Sequence, residues 1–90
     1  MELLELLRRA VELNGSDIFV IPGAPVTVKT DSGFVQVSGE RILPDDADKL
    51  IDGMYVLARR DPSSLGKRGD DDFSFAVREL SRFRCNAYLQ

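Results

Sequence analysis

Histidine is absent from this chain of 90 residues, and cysteine occurs only once, as Cys85. Without histidine, the chain cannot perform histidine-dependent acid/base catalysis or build the common zinc sites. A single cysteine cannot form an internal disulfide. Because Cys85 lies at an apolar position of an alternating pattern, we expect a small buried side chain and not a reactive thiol. These absences exclude a large part of enzyme chemistry.

Long apolar runs are also missing, since none approaches the ~20 residues that span a bilayer. Met1 is followed by acidic Glu2 and Glu5, so the start lacks the basic and apolar blocks of a cleavable export signal. We therefore expect a cytoplasmic protein. Its length predicts one domain, residues 1–90, with one modest core.

The formal net charge is −3, which argues against general nucleic-acid binding because that function needs a basic surface. The charges are unevenly distributed. Aspartates are concentrated in the middle of the chain, whereas Arg78, Arg82 and Arg84 lie near its end with only Glu79 among them. This asymmetry suits a subunit surface that meets an unlike surface. A solvated exterior is the alternative.

Apolar spacings of three and four residues predict two main helices. The first runs from Glu2 to Leu13 and ends where Asn14 and Gly15 can take the left-handed conformation. The second begins at Pro44, with acidic residues near its positive end. Gly53 interrupts it, and close packing against the sheet would explain that glycine. The apolar stripes are Leu3, Leu4, Leu6, Leu7, Ala10, Val11 and Leu13 in the first helix and Ala47, Leu50, Ile51, Met54, Leu57 and Ala58 in the second.

Two segments between these helices have β patterns. The apolar run within Asp17 to Ile21 predicts a central strand that is covered on both faces. The alternating residues from Val26 to Val37 predict a hairpin with a three-residue connection, Asp31 to Gly33. Gly33 is expected at positive φ, which glycine adopts at little steric cost.

The segment from Asp61 to Asp70 is predicted to be the most mobile, because Leu65 is its single large apolar side chain. Gly66 and Lys67 invite comparison with a phosphate-binding loop. That motif requires a glycine five residues before the Gly-Lys pair and Ser or Thr after it, whereas this chain has Asp61 and Arg68. No phosphate-binding loop is therefore predicted.

The last twenty residues, Asp71 to Gln90, are predicted to form a β-hairpin. Its first strand covers Asp72 to Val77, and its second strand sorts side chains by chemistry, with Phe83, Cys85, Ala87 and Leu89 alternating with Arg82, Arg84, Asn86 and Tyr88. A rise of about 3.3 Å per residue places the two arginines roughly 6 to 7 Å apart on one face. Such a face can hold an anion or a partner. The alternative is the solvated face of an ordinary sheet.

The order helix, strand, hairpin, helix, hairpin predicts an α+β domain with a mostly antiparallel sheet and two main helices packed on it. The chain ends at Leu89 and Gln90 inside a strand pattern, without a terminating signal. We therefore expect it to be part of a longer protein.

Several motifs resemble those of one family, the PilT-type hexameric ATPases that retract type IV pili and are relatives of the type II secretion ATPases. The opening helix ends in Asn14-Gly15 and is followed by Ser16-Asp17-Ile18, Gly23-Ala24-Pro25 and Leu43-Pro44-Asp45-Asp46. The most specific motifs are Asp72-Phe73-Ser74-Phe75 and Ser81-Arg82-Phe83-Arg84-Cys85-Asn86-Ala87-Tyr88. The resemblance covers nearly the whole chain and corresponds to the amino-terminal domain of these proteins.

The chain departs from the family pattern at a few positions. Phe19 stands where relatives often have histidine, and Lys29 replaces the usual arginine. The turn from Asp31 to Gly33 looks one residue longer, and the loop from Pro62 to Asp70 is poor in helix formers where relatives often carry a charged helix.

The resemblance implies a PAS-like domain that does not hydrolyse ATP itself. A RecA-like catalytic domain with ATP and Mg would follow it in the parent protein, which would be a homo-hexamer. Arg82 and Arg84 would lie near the nucleotide of a neighbouring subunit, where a guanidinium can bind phosphate oxygens. The expected setting is cytoplasmic, peripheral to the inner membrane and indirectly linked to pilus or secretion machinery. A helix that starts at Met1 favours the retraction type.

Three other functions follow from the same residues. PAS-like sheets can enclose small ligands, so a sensory module is the main alternative. The face with Arg82, Arg84 and Tyr88 has residue types that bind single-stranded nucleic acid, although the net acidity weighs against this function. An independent enzyme is least favoured, because the carboxylates of residues 70–72 have no identifiable partner base.

Overall fold

Five strands form one mixed sheet in the computed structural model, which describes residues 2–38 and 42–89. The elements are α1 (Leu3–Glu12), β1 (Asp17–Val20), β2 (Thr27–Thr30), β3 (Gly33–Gln36), α2 (Pro44–Ala58), α3 (Ser63–Arg68), β4 (Asp70–Val77) and β5 (Ser81–Tyr88). The strand order is β3-β2-β1-β5-β4, in which β1 and β5 are parallel and the other pairs are antiparallel. The predicted α+β class with a mostly antiparallel sheet is confirmed.

Helix α1 ends as the sequence predicts. Asn14 has a left-handed φ of 56°, its N–H donates to the carbonyl of Val11, and the Gly15 N–H donates to the carbonyl of Ala10 at 2.9 Å. This pattern is a Schellman motif, which satisfies carbonyls left without helical partners. The predicted stripe is too wide, however, because Leu4 is 51% exposed.

Gly15 also allows α1 to approach the sheet closely. A Cβ atom at this position would lie 2.2 Å from Cγ1 of Val28 and 2.9 Å from the carbonyl oxygen of Lys29. Both atoms belong to β2. A side chain of any size would therefore push the end of α1 away from the strand.

Helix α2 packs on the core with Ala47, Leu50, Ile51, Met54 and Tyr55 buried. Tyr55 replaces the expected Leu57, which is 37% exposed. The prediction for Gly53 is also corrected. A Cβ atom there would lie 2.8 Å from Cδ2 of Leu3, so Gly53 permits close contact with α1 and not with the sheet.

The segment predicted to be mobile contains helix α3 instead. Leu65 is only 7% exposed and joins the core, so this one apolar side chain anchors the helix. Asp61 accepts a hydrogen bond from the Ser63 N–H at 2.9 Å, and Gly69 ends the helix with a left-handed φ of 82°. Although this loop is poor in helix formers, it therefore contains a short helix with Lys67 and Arg68 in its last turn.

Burial alternates along the strands, and the buried strand residues form one cluster with those of the helices. The helices thus cover one face of the sheet, which corrects the prediction for β1. Ile18 and Val20 are fully buried, but Phe19 is only half-buried and Ile21 is 43% exposed.

The first hairpin has a shorter connection than the sequence predicts. Thr30 pairs with Gly33, so the connection is two residues long and not three, although Gly33 has the expected positive φ of 117°. The last hairpin is confirmed, with Cys85 fully buried and a turn at residues 78–80 that holds Glu79 at a φ of 66°. Leu89, assigned to the core, is 47% exposed.

The longest helix, α2, has 15 residues. Within residues 2–38 and 42–89, no helix is both long and apolar enough to cross a bilayer.

Candidate functional site

The sheet face opposite the helices, here called the open face, carries both arginines predicted to be functional. The strand registers place Arg84 between Asp17 of β1 and Ser74 of β4, and place Arg82 opposite Ala76. Both arginines are exposed. The alternation of β5 therefore brings them to one face, as the sequence predicts.

Arg84 is paired with Asp72 on the neighbouring strand. Its Nε donates to Asp72 Oδ1 at 2.8 Å and its Nη2 donates to Asp72 Oδ2. Asp72 lies directly opposite Asn86, so the ion pair is diagonal across β4 and β5. The two side chains remain 57% and 47% exposed, and a ligand or partner can reach both.

The pKa values of this pair follow from its geometry. The hydrogen bonds to Asp72 raise the pKa of Arg84, and Asp17 adds a smaller effect of the same sign. The same hydrogen bonds lower the pKa of Asp72, against an opposing effect of burial. Arg84 is therefore a permanent cation with a carboxylate in direct contact.

Arg82 differs from Arg84. Among the residues that the structure describes, its side chain has no hydrogen-bond or ion-pair partner. Within that part of the chain, none of its five N–H donors is used, so they can bind a ligand or partner.

A second arginine–carboxylate pair, which the sequence analysis missed, lies on the covered side of β4. Asp71 is only 5% exposed. It accepts hydrogen bonds from Arg60 Nε at 2.9 Å, from Arg60 Nη2 at 2.8 Å and from Tyr55 Oη at 2.7 Å. A buried carboxylate is stable only when it is paired in this way.

The surroundings of Asp71 shift two pKa values. The hydrogen bonds from Arg60 lower the pKa of Asp71 to about 2, although burial opposes them, and the Tyr55 hydroxyl lowers it further. Burial, followed by the hydrogen bond to Asp71, raises the pKa of Tyr55 well above its usual value. Tyr55 therefore stays protonated and Asp71 stays charged at neutral pH.

Aromatic contacts complete this cluster. The Tyr55 ring stacks on Phe73 with centroids 4.5 Å apart and an interplanar angle of 22°. The Arg60 guanidinium lies over the same Phe73 ring, 5.7 Å from its centroid. The signal for this cluster was present in the sequence, because Asp71 has the same parity as the inward-facing Phe73 and Phe75.

A polar cavity of about 320 Å³ lies beside β4, and both Asp71 and Asp72 contribute to its lining. Its lining includes two guanidiniums, from Arg60 and Arg68, and three carboxylates, from residues 70–72. Because the carboxylates outnumber the guanidiniums, this cavity is not by itself a site for a free phosphate. In the described part of the chain, no group of three potential metal ligands is placed to hold an ion.

Comparisons with known proteins agree with this fold. No family model matches the chain. The chain is 31% identical to the type IV pilus ATPase PilU of Pseudomonas aeruginosa over 91 aligned positions, which cover 100% of this chain and 23% of PilU. A crystal structure of the pilus retraction motor PilT with bound ADP matches with a TM-score of 0.71 and 35% identity, and the match covers 100% of this chain and 26% of PilT.

This chain thus spans about a quarter of the length of the proteins it matches. The similarity extends over all of the chain, includes both sequence and fold, and agrees with the motifs noted above. The chain is therefore a homologue of the N-terminal domain of the PilT-type ATPases.

Proposed function

We propose that this chain is the non-catalytic N-terminal domain of a longer, hexameric pilus-retraction or secretion ATPase. In that assembly it packs against RecA-like ATPase domains of its own and the neighbouring subunit, and it supplies Arg82 and Arg84 to the nucleotide interface. The observation that carries the proposal is the placement of both arginines on the exposed open face of β5. Similarity to PilU and to PilT, which was crystallised with ADP, supports it.

The donors available on the two arginines fit contact with phosphates. Arg82 has five N–H groups without a partner in the described structure, and Arg84 uses only two of its five in the pair with Asp72. A guanidinium presents two parallel N–H groups to two oxygens, which matches a phosphate group. ATP and Mg would be held by the catalytic domain of the parent protein, and the arginines would act from a neighbouring subunit.

The rest of the open face suits packing against another domain. Phe34 is 65% exposed, and its ring contacts Phe19 with centroids 5.4 Å apart. Lys29 and Asp17 lie next to each other on β2 and β1. Exposed apolar and charged groups together are typical of protein interfaces that retain a polar rim. We place the assembly at the cytoplasmic side of the inner membrane, with pilus or secretion machinery as the indirect partner.

The test is ATP hydrolysis by the full-length protein that carries this domain. Arg84→Ala and Arg82→Ala should each lower turnover by roughly tenfold or more, as expected for loss of a charge-assisted phosphate contact. Arg78→Ala, a change in the exposed turn of the same hairpin, is the matched control and should leave turnover unchanged. Wild-type turnover by both the Arg82 and the Arg84 variants would overturn the proposed role.

A second measurement addresses catalysis by the domain itself. The isolated chain of residues 1–90 should show no ATP hydrolysis above background, because the proposal assigns the phosphate-binding loop to the RecA-like domain. Turnover by the isolated chain that survives repeated purification and is lost on a point substitution within it would contradict this assignment.

A further inference from the structure

We infer that Asp72 is a positioning residue for Arg84, which it holds with one edge of the guanidinium turned toward a ligand. The inference rests on the proposed function, since it gives Arg84 a phosphate to bind. Asp72 is one of the three consecutive carboxylates of residues 70–72, and its partner is the guanidinium of Arg84 on the neighbouring strand.

Asp72 contacts only one side of the Arg84 guanidinium. It accepts from Nε and from Nη2, which form one side of the planar group. A guanidinium has five N–H donors in a fixed fork. The Nη1 group and the second hydrogen of Nη2 therefore remain, and together they form another two-point edge that matches two phosphate oxygens. Pairing with Asp72 thus fixes the plane of Arg84 without using up its binding edge.

The backbone of Asp72 is itself held in place. Its backbone N–H donates to Asp71 Oδ1 at 3.0 Å, and Asp71 is the buried carboxylate bound by Arg60 and Tyr55. Asp72 also lies within the continuous pairing of β4 with β5. The backbone that carries the Asp72 carboxylate is therefore fixed by hydrogen bonds to the buried Asp71 and to β5.

Arg82 and Arg84 differ in conformational freedom. The Arg84 side chain is 57% exposed, and a long charged side chain on a surface samples many rotamers unless a partner holds it. Ordering such a side chain as the transition state forms opposes catalysis, whereas a side chain ordered beforehand avoids this loss. Arg82 has no such partner in the described structure, so the inference separates the two arginines: Arg84 is ordered in advance and Arg82 becomes ordered on docking.

The experiment compares Asp72→Asn with Asp70→Asn in the full-length protein. Asp70 lies on the same strand and face, and its one ion pair among the described residues is a long 3.7 Å contact with Arg68, so it is a matched control. We expect Asp72→Asn to lower kcat for ATP hydrolysis by about three- to tenfold with little change in KM, because loss of order affects the positioned state. Asp70→Asn should remain at the wild-type kcat.

A double-mutant cycle with Arg84→Ala shows whether Asp72 acts through Arg84. In the Arg84→Ala background, Asp72→Asn should cause no further loss of kcat. A further loss equal to that in the wild-type background would overturn the inference, because Asp72 would then act independently. A rise in kcat on Asp72→Asn would also overturn it, since Asp72 would then restrain Arg84.

The cycle also separates failure of the inference from failure of the proposed function. If Arg84→Ala lowers turnover while Asp72→Asn behaves as the wild type, the inference is wrong and the role of Arg84 stands. If both arginine variants keep normal turnover, the proposed function fails and the inference fails with it. Thermal unfolding of each variant checks that the domain stays folded.

Discussion

Asp71 and Asp72 are neighbours in the chain, yet their carboxylates lie on opposite faces of β4 and bind different arginines. Asp71 faces the core and pairs with Arg60, whereas Asp72 faces outward and pairs with Arg84. The Asp72 N–H donates to the Asp71 carboxylate at 3.0 Å and joins the two pairs. One strand therefore links a structural ion pair inside the domain to a candidate functional arginine on its surface.

The Tyr55 hydroxyl is expected to contribute to stability through its bond to Asp71. Tyr55→Phe removes that donor and keeps the ring that stacks on Phe73. We expect a loss of ~1.5–3 kcal/mol in the free energy of unfolding, the range for hydrogen bonds to charged groups. Urea denaturation measures this change in the free energy of unfolding. Tyr88→Phe is the control, because the Tyr88 hydroxyl has no hydrogen-bond partner among the described residues. Equal urea midpoints for the two variants would contradict the prediction.

Acid should destabilise the domain through Asp71. Its pKa is lowered from an ordinary 3.8 to about 2 by Arg60. Between these values the unfolded state binds more protons than the folded state, so stability rises with pH in this window. The contribution of Asp71 is fully present above about pH 4 and is lost as the pH falls through about 2.

Urea midpoints between pH 2 and pH 7 measure this dependence. The Asp71→Asn variant should be less stable at neutral pH and should show a flatter acid limb than the wild type. A smaller dependence of stability on pH should remain in that variant, because Arg84 also lowers the pKa of Asp72. Parallel curves for the two proteins would show that Asp71 is not the titrating group.

Local patterns in the sequence were sufficient to predict the two main helices, α1 and α2, and the last hairpin. The spacing of Leu6, Leu7 and Ala10 sets the buried face of α1, and Asn14 with Gly15 ends it. These signals act within a few residues, so they can be interpreted without knowing the rest of the fold. The same holds for the alternation that brings Arg82 and Arg84 to the open face.

Pairings between distant segments were not predictable in this way. The parallel contact of β1 with β5 brings Asp17 beside Arg84, and no local pattern encodes which strands become neighbours. Helix α3 depends on burial of the single residue Leu65, so tertiary packing overrides weak helix propensity there. The pairing of Asp71 with Arg60 likewise depends on how α2 crosses β4.

Gly15 is expected to be among the least replaceable residues of the domain. Gly15→Ala would place a Cβ atom 2.2 Å from the Val28 side chain and 2.9 Å from a backbone oxygen, and a backbone contact is relieved less easily than one with the end of a flexible side chain. We expect a loss of ~1–3 kcal/mol or more in the free energy of unfolding, as for other overpacked sites.

Gly66→Ala is the control, because its Cβ would meet nothing within 4 Å. That variant should gain about 0.5–1 kcal/mol, since alanine favours a helix interior over glycine. Equal stabilities would contradict the close approach of α1 to β2.

The thiol of Cys85 should be inert until the domain unfolds. It is fully buried, and burial raises its pKa to about 12, so the reactive thiolate is scarce as well as inaccessible. We expect alkylation by iodoacetamide at pH 8 to be at least about a hundredfold slower in the folded domain than in the urea-unfolded chain. A Cys85→Ala protein that also carries Ser74→Cys supplies the control, because position 74 is exposed on the open face and should react at once. If native Cys85 reacted as fast as this surface thiol, β5 would have to leave the core readily, and the fixed position of Arg84 on that strand could not hold.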